Sequence, residues 1–386
     1  MSATAARGNQ ACGFMLANLQ REMATASPQG PYTSCMLLIY GATGYTAGLV
    51  IQEAIARELR PILAGRNAGA VRELAERFGL EWRVASLDEA GALDAVLRGV
   101  TVVLNCAGPF SRTWRAVSDA CLRNGAHYLD VTGEIAVFEG LAARDAEARA
   151  AQVMLLPGAG FDVVPSDCLA AHLARRVPHA EHLALAFVAA GGASRGTLST
   201  MVENLGAPGA VRRAGRIMPV PAGWRARRID FGDGRLRLAS TIPWGDVSTA
   251  FHSTGIPNVE VYMTTSTGMR RAMIASRYLA PLLRTGIVRR ALINRVRRGP
   301  AGPDASARAR TRSLLWGEIV ARDGRSAESV LHGPDGYTMT ALTAVRLARM
   351  ALAGVAPVGF QTPSRAYGAD VIMEIPGIVR TDVERA

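Results

Sequence analysis

The segment Leu37-Leu38-Ile39-Tyr40-Gly41-Ala42-Thr43-Gly44-Tyr45-Thr46-Ala47 constrains the fold more than any other in the chain. An apolar run from Met36 to Tyr40, of strand length, enters a turn with glycines three apart, and a helical stretch near Ala47–Glu58 follows. In such a unit Gly41 permits the tight bend, Gly44 lets the backbone approach a ligand closely, and the small Ala47 lets helix and strand pack tightly. The first N–H groups of the helix lack partners within it and favour an anion beyond the strand end. A dinucleotide pyrophosphate meets that description, with Gly41, Ala42, Thr43, Gly44, Tyr45 and Thr46 as its cradle.

The alternation continues downstream. Pro61–Ala64, Trp82–Ala85, Val102–Asn105, His127–Val131 and Val153–Leu155 read as strands. Helical stretches near Ala70–Phe78, Leu93–Leu97, Arg115–Asn124 and Ala136–Ala150 separate them, as expected for βαβ units. The expected fold class is therefore α/β, an N-terminal Rossmann-type, doubly wound parallel sheet with a second α+β domain.

After Asp167 the spacing changes. Leu183–Val188, Arg227–Phe231, Arg235–Ser240 and Val259–Thr264 read as strands, with Gly232-Asp233-Gly234 as a hairpin turn. A helix over Tyr337–Leu352 carries apolar residues at helical spacing. The expected divisions are a disordered leader at 1–34, a dinucleotide-binding domain at 35–165, a substrate domain at 166–335, and a segment at 336–386 that packs back on the first domain. Met36 begins the first strand, so translation from Met36 is an expectation alongside translation from Met1.

Cofactor preference is read at the end of the second strand. A fold that prefers NAD usually places Asp or Glu there to accept from the ribose 2′-hydroxyl, whereas this chain has Ala64-Gly65-Arg66-Asn67. Arg66 offers a forked cation suited to a 2′-phosphate, so NADP is expected, with Asn67 beside it. The run Asn105-Cys106-Ala107-Gly108-Pro109-Phe110 leaves the fourth strand at the edge where open α/β sheets bind ligands. Asn105, Ala107, Gly108, Pro109 and Phe110 are expected to meet the ribose or nicotinamide.

Composition excludes several chemistries. All 44 basic residues are arginine, which removes Schiff-base lysines, a P-loop lysine and a Tyr-x-x-x-Lys couple. Five cysteines without CxxC spacing and six histidines without HExxH spacing give no metal set, and free thiols in a reducing compartment are expected. No stretch approaches the ~18 apolar residues of a spanning helix, and the start of the chain lacks a secretory apolar core, so a cytoplasmic location is expected.

Several motifs together resemble the saccharopine dehydrogenase-like oxidoreductases: Gly41–Thr46, Ala64–Asn67, Asn105–Phe110, His127–Glu134 and Gly158-Ala159-Gly160-Phe161-Asp162. Later segments look like the branch containing trans-acting enoyl reductases: Ser194–Thr197, Pro243-Trp244-Gly245-Asp246, Ser253–Asn258 and Gly359–Pro363. The resemblance implies NADPH reducing a conjugated double bond of an acyl, lipid- or polyketide-like substrate, free or held on a carrier. Ala47 stands where that family commonly has glycine. Saccharopine-type imine reduction and a non-catalytic NADP-binding sensor are the alternatives.

A reductase needs a proton donor near the reacting centre. Tyr128, Glu134 and Asp162, with Asp130, follow strands in the half of the sheet expected to face the cofactor. Ser194–Thr197 is read as a lid or a carbonyl-facing turn ahead of a helix over Thr197–Leu205.

Finally, the net charge of +12 is concentrated: residues 270–312 hold twelve arginines against the single acid Asp304. Met273, Ile274, Tyr278, Leu279, Ile287, Val288 and other apolar residues interleave with them. Charge confined to one segment argues against nucleic-acid binding. It fits an acyl-carrier protein, peripheral association with a membrane surface, or a solvated helix covering the second domain.

Overall fold

A computed structural model of the protein describes residues 36–386 except 90, 189–190, 284 and 385–386, with the backbone alone at 281–282. The expected leader at 1–34 lies outside the described residues. The first half of the described chain runs β1 (Met36–Tyr40), α1 (Tyr45–Ala56), β2 (Ile62–Gly65), α2 (Ala68–Phe78), β3 (Trp82–Val84), α3 (Ala92–Val96), β4 (Val100–Asn105), α4 (Phe110–Asn124), β5 (His127–Asp130), α5 (Ile135–Ala142), α6 (Asp145–Ala150) and β6 (Met154–Leu156).

The second half runs α7 (Val164–Arg176), β7 (Ala180–Phe187), α8 (Arg195–Glu203), β8 (Gly209–Arg213), β9 (Arg216–Val220), β10 (Ala226–Asp230), β11 (Leu236–Thr241), α9 (Asp246–Thr254) and β12 (Asn258–Thr264). Then come α10 (Thr267–Leu283), α11 (Gly286–Arg297), α12 (Ala305–Arg310), β13 (Arg312–Ala321), β14 (Ser326–Pro334), α13 (Gly336–Leu352), β15 (Gly359–Phe360), α14 (Pro363–Tyr367), a 3₁₀ turn at Val371–Glu374 and β16 (Val379–Val383).

Seven parallel strands form the first sheet in the order β15-β6-β5-β4-β1-β2-β3. Reversal of the strand sequence between β1 and β4 is the switch point at which doubly wound sheets open a ligand crevice. Both faces of the central strands are covered. Leu37 and Ile39 join Val50 and Ile51 on one side, while Leu38 and Tyr40 join Val117 and Cys121 on the other. Full burial of a strand residue such as Ile39 contributes roughly 2 kcal/mol, so these strands read as unbroken apolar runs.

Three departures from the sequence reading have local causes. The helix expected over 136–150 is two helices, α5 and α6, because Arg144 turns inward at the break and pairs with Asp119 of α4 at 2.6 Å. The helix expected over Thr197–Leu205 starts earlier, at Arg195, with the Ser194 hydroxyl accepting from Thr197 N. The two-residue β15, too short to read in advance, joins β6 and returns the chain end to the first sheet, beside which α13 packs on α1.

The second sheet is mixed, in the order β10-β11-β12-β7-β13-β14-β16, with β8 on β12 and β9 on β8. Its β7–β12 pair is parallel and its other pairs are antiparallel. The hairpin at Gly232-Asp233-Gly234 joins β10 to β11, and the Asp230 carboxylate accepts from all three backbone N–H groups of that turn. One face is apolar and lies under α7 and α9. Gly317 of β13 lets α7 approach, since a Cβ there would stand 2.7 Å from Leu173 Cδ1. The other face carries ion pairs, Arg227–Glu318 at 2.6 Å and Arg225–Glu260 at 2.8 Å.

Candidate functional site

The turn after β1 is built as a cradle. Gly41 adopts φ +78°, and a Cβ on it would meet the Ala107 backbone N at 2.7 Å. Its N–H and that of Ala42 both bond to Ala64 O, at 2.8 and 3.1 Å, which pins the turn to β2. Gly44 closes the turn through Gly41 O at 3.0 Å and caps α1 without a side-chain hydrogen bond. Thr43 and Gly44 are exposed there, whereas Ala42 is buried and shapes the turn from below. A backbone without a Cβ, an uncapped helix start and an exposed turn fit a diphosphate.

Arg66 follows β2 at the same edge, exposed and without a hydrogen bond or ion pair among the described residues. Its neighbour Asn67 is committed elsewhere. Its Oδ1 accepts from Ala70 N at 3.1 Å as the N-cap of α2, so its side chain holds a helix rather than a ribose.

The loop after β4 is held by a buried polar chain. Asn105 accepts from Ala107 N at 3.0 Å and donates to the Thr113 and Tyr128 hydroxyls, each at 3.3 Å. The Tyr128 hydroxyl donates to Asp130 Oδ2 at 2.7 Å. Asp130 Oδ1 then accepts from Thr132 N at 3.0 Å and Gly158 N at 2.9 Å. Burial pushes Asp130 up to about 6 despite those N–H donors. Thus one buried network fixes the loops leaving β4, β5 and β6.

This placement corrects the reading of Tyr128 as a proton donor. The ring is fully buried and its proton is committed to Asp130. Asn105 likewise sets the shape of the Ala107–Phe110 loop and, being fully buried, does not face a ligand. Half-buried Cys106 in that loop is a poor nucleophile, because burial and then Asp130 push its thiol up to about 12.

Glu134 is also corrected. Its two carboxylate oxygens accept from Phe110 N at 2.8 Å and Ser111 N at 3.0 Å. Glu134 therefore caps α4 from a loop 24 residues away and anchors the Gly108-Pro109-Phe110 turn. Loop residues Ala107, Gly108, Pro109 and Phe110 stand at the sheet edge between Gly41 and Glu134.

Asp162 differs from every other carboxyl at this edge. It is half-buried, its side chain makes no hydrogen bond or ion pair among the described residues, and burial pushes it up to about 7. Gly133 makes room for it, since a Cβ there would stand 2.9 Å from Asp162 Oδ2. Next to it Phe161 contacts Phe187 edge-on at 5.8 Å between centroids, and Phe187 contacts Trp244 at 4.8 Å. The result is a protonatable acid with an aromatic flank at the end of β6. Behind it Asp246 is fully buried with no well-aligned partner for either oxygen among the described residues. Burial drives it well above the carboxylate range, with Asp167 and Asp162 adding to the rise.

Sequence reasoning missed a strap over the phosphate turn. The Tyr45 hydroxyl donates to Pro303 O at 2.5 Å and accepts from Arg308 at 2.9 Å, and Gly302 passes so close that a Cβ would touch the Tyr45 ring. Tyr45 also meets Tyr337 edge-on at 5.1 Å, and the Tyr337 hydroxyl accepts from Ser194 N at 2.6 Å. Ser194–Thr197 therefore ties α8 to α13. Spacing carried no sign of this, because the partners lie more than 250 residues apart.

The fold and site define a dinucleotide-binding Rossmann unit joined to a mixed-sheet domain. Residues 37–156 match the family model described as "Saccharopine dehydrogenase NADP binding domain", so this portion is an NADP-binding domain of saccharopine dehydrogenase type. A trans-acting enoyl reductase of Mycobacterium leprae (strain TN) is 33% identical over 151 residues, 36% of this chain and 36% of that protein. A human saccharopine dehydrogenase-like oxidoreductase is 27% identical over 162 residues, 37% of each chain. The matches thus span little more than a third of these curated relatives. Across 90% of this chain and 99% of the other, the fold is similar to apo saccharopine dehydrogenase (L-Glu forming) of Saccharomyces cerevisiae, with a TM-score of 0.59 at 13% identity.

Proposed function

We propose that the protein is an NADPH-dependent reductase acting on a conjugated carbon–carbon double bond of an acyl, lipid- or polyketide-like substrate. The observation that carries this reading is Asp162, an unpaired, half-buried carboxyl raised to about 7 on the sheet edge that carries the phosphate turn. Support also comes from the similarity of 36% of this chain to a trans-acting enoyl reductase.

Bound NADPH supplies the hydride. The chain's own residues do the rest: the Gly41–Thr46 turn holds the diphosphate, and Arg66 selects the 2′-phosphate. As hydride reaches the β-carbon, the charge developing on the acyl carbonyl collapses when Asp162 delivers its proton to the α-carbon. A carboxyl near 7 is matched to that task at neutral pH. Phe161, next to Asp162, packs on Phe187, which packs on Trp244, and this aromatic flank gives the acid an apolar surrounding.

The test is NADPH oxidation with a panel of 2-enoyl thioesters and with 2-oxo acids plus amino acids. Turnover of enoyl thioesters supports the reading. Turnover of the oxo acid and amine pair alone assigns saccharopine-type imine reduction instead. Tight NADPH binding without oxidation across the panel assigns the sensor role.

A further inference from the structure

The helix pair α10–α11 presents an unusual surface. Between Glu260 and Asp304 the chain has no acidic residue, and among the described residues none of the arginines from Arg270 to Arg312 pairs with a carboxylate. Elsewhere the arginines are heavily paired, as in Arg144–Asp119, Arg212–Glu139 and Arg380–Asp370. Uncompensated charge is therefore concentrated on one part of the surface.

That surface is also apolar. Tyr278 is 82% exposed, Ile287 83%, and Met269 and Leu279 50% each. Between Arg271 and Ala280 of α10 the exposed positions are Arg271, Ala272, Ala275, Arg277, Tyr278 and Leu279, so its solvent face mixes two arginines with apolar residues. On α11 the exposed positions include Ile287, Arg290, Ala291, Asn294, Arg295 and Arg297, with Arg298 at its C-cap, so its solvent face is largely basic. On α11 the apolar Val288, Leu292, Ile293 and Val296 are half-buried, as in an ordinary amphipathic helix, whereas on α10 Tyr278 and Leu279 face solvent.

Between the exposed side chains lies a groove of about 560 Å³, lined by Ala291, Asn294, Arg295, Arg298 and Gly299. Two guanidiniums and an amide suit a phosphate-bearing headgroup. No helix among the described residues is long and apolar enough to cross a membrane.

We propose that the α10–α11 surface docks the protein on an anionic phospholipid membrane. The Arg290, Arg295 and Arg298 guanidiniums meet headgroup phosphates, and Tyr278, Leu279 and Ile287 insert at the acyl boundary. Charge draws the surface to the lipid and the apolar side chains hold it there. An acidic carrier domain would take the arginines but leave Tyr278 and Ile287 in water, which is why the lipid surface is the better fit.

The test is co-sedimentation of the full chain with vesicles of phosphatidylcholine, or of phosphatidylcholine with about 30% phosphatidylglycerol. Binding to the anionic vesicles and not to the neutral ones is expected, weakening as salt rises. The Arg290→Gln, Arg295→Gln, Arg298→Gln triple variant is expected to lose about 100-fold in partitioning. Tyr278→Ser, Leu279→Ser, Ile287→Ser together are expected to lose at least tenfold at unchanged charge. NADPH binding by each variant reports that the fold is intact. Equal binding to both vesicles, partitioning unchanged in either variant, or binding to an acidic carrier protein with no binding to vesicles overturns the proposal.

Discussion

Carboxyl groups meet opposite fates on the two sheets. Glu260, on the outer face of the mixed sheet, is buried enough to be raised, yet the Tyr262 hydroxyl and the Arg213 and Arg225 guanidiniums outweigh burial and hold it low. Asp162, half-buried at the edge of the parallel sheet, has no cation beside it among the described residues, and burial raises it to about 7. Burial alone does not decide protonation; the presence of a counter-charge does. Where the chain withholds an arginine, although it has 44, a proton is kept available at neutral pH.

The largest effect should come from testing that contrast directly. Asp162→Asn is expected to lower kcat by about 100-fold or more, the usual contribution of a positioned acid, with NADPH affinity unchanged. Glu260→Gln on the other sheet is expected to leave kcat/KM unchanged. Comparable losses in both variants would erase the distinction.

Gly41→Ala tests the cradle. Its new Cβ would strike the Ala107 backbone at 2.7 Å in a positive-φ conformation, so NADPH affinity is expected to fall by about 10- to 100-fold. Calorimetric titration checks it.

A smaller effect concerns stability. The folded-state carboxyls of Asp162, at about 7, and Asp130, at about 6, lie above their unfolded values. The folded protein therefore binds those protons more tightly, and stability falls as pH rises from the unfolded carboxyl range through 6 to 7. Urea midpoints are expected to be higher at pH 5 than at pH 8, and Asp162→Asn is expected to narrow that gap.

The same contrast explains what could be read in advance. Strands β1, β2, β4, β5 and β6 are buried on both faces and stand out as apolar runs, and Gly41 marks their turn by a conformation that glycine supplies readily. In the mixed sheet, β13 and β14 mix polar and apolar residues without a clean period, with Glu318 and Glu328 on the ion-paired face, and Gly317 weakens the strand signal further. Those strands were not legible. Within the site, the type of residue at each loop was visible but its partner was not. Glu134 gave no sign that it would cap α4, nor Tyr45 that it would meet Arg308. Such roles depend on contacts that the fold creates between distant segments, and local spacing does not encode them.

The central claim is that this sheet edge binds NADPH through the Gly41–Thr46 turn and chooses it over NADH through Arg66. Calorimetric titration of the wild-type chain and of Arg66→Ala with both coenzymes tests it most directly. NADPH is expected to bind well above NADH in the wild type, with the preference falling about tenfold or more in Arg66→Ala as a charge-assisted phosphate contact is lost. Absence of heat with either coenzyme, or an unchanged preference in the variant, would contradict it.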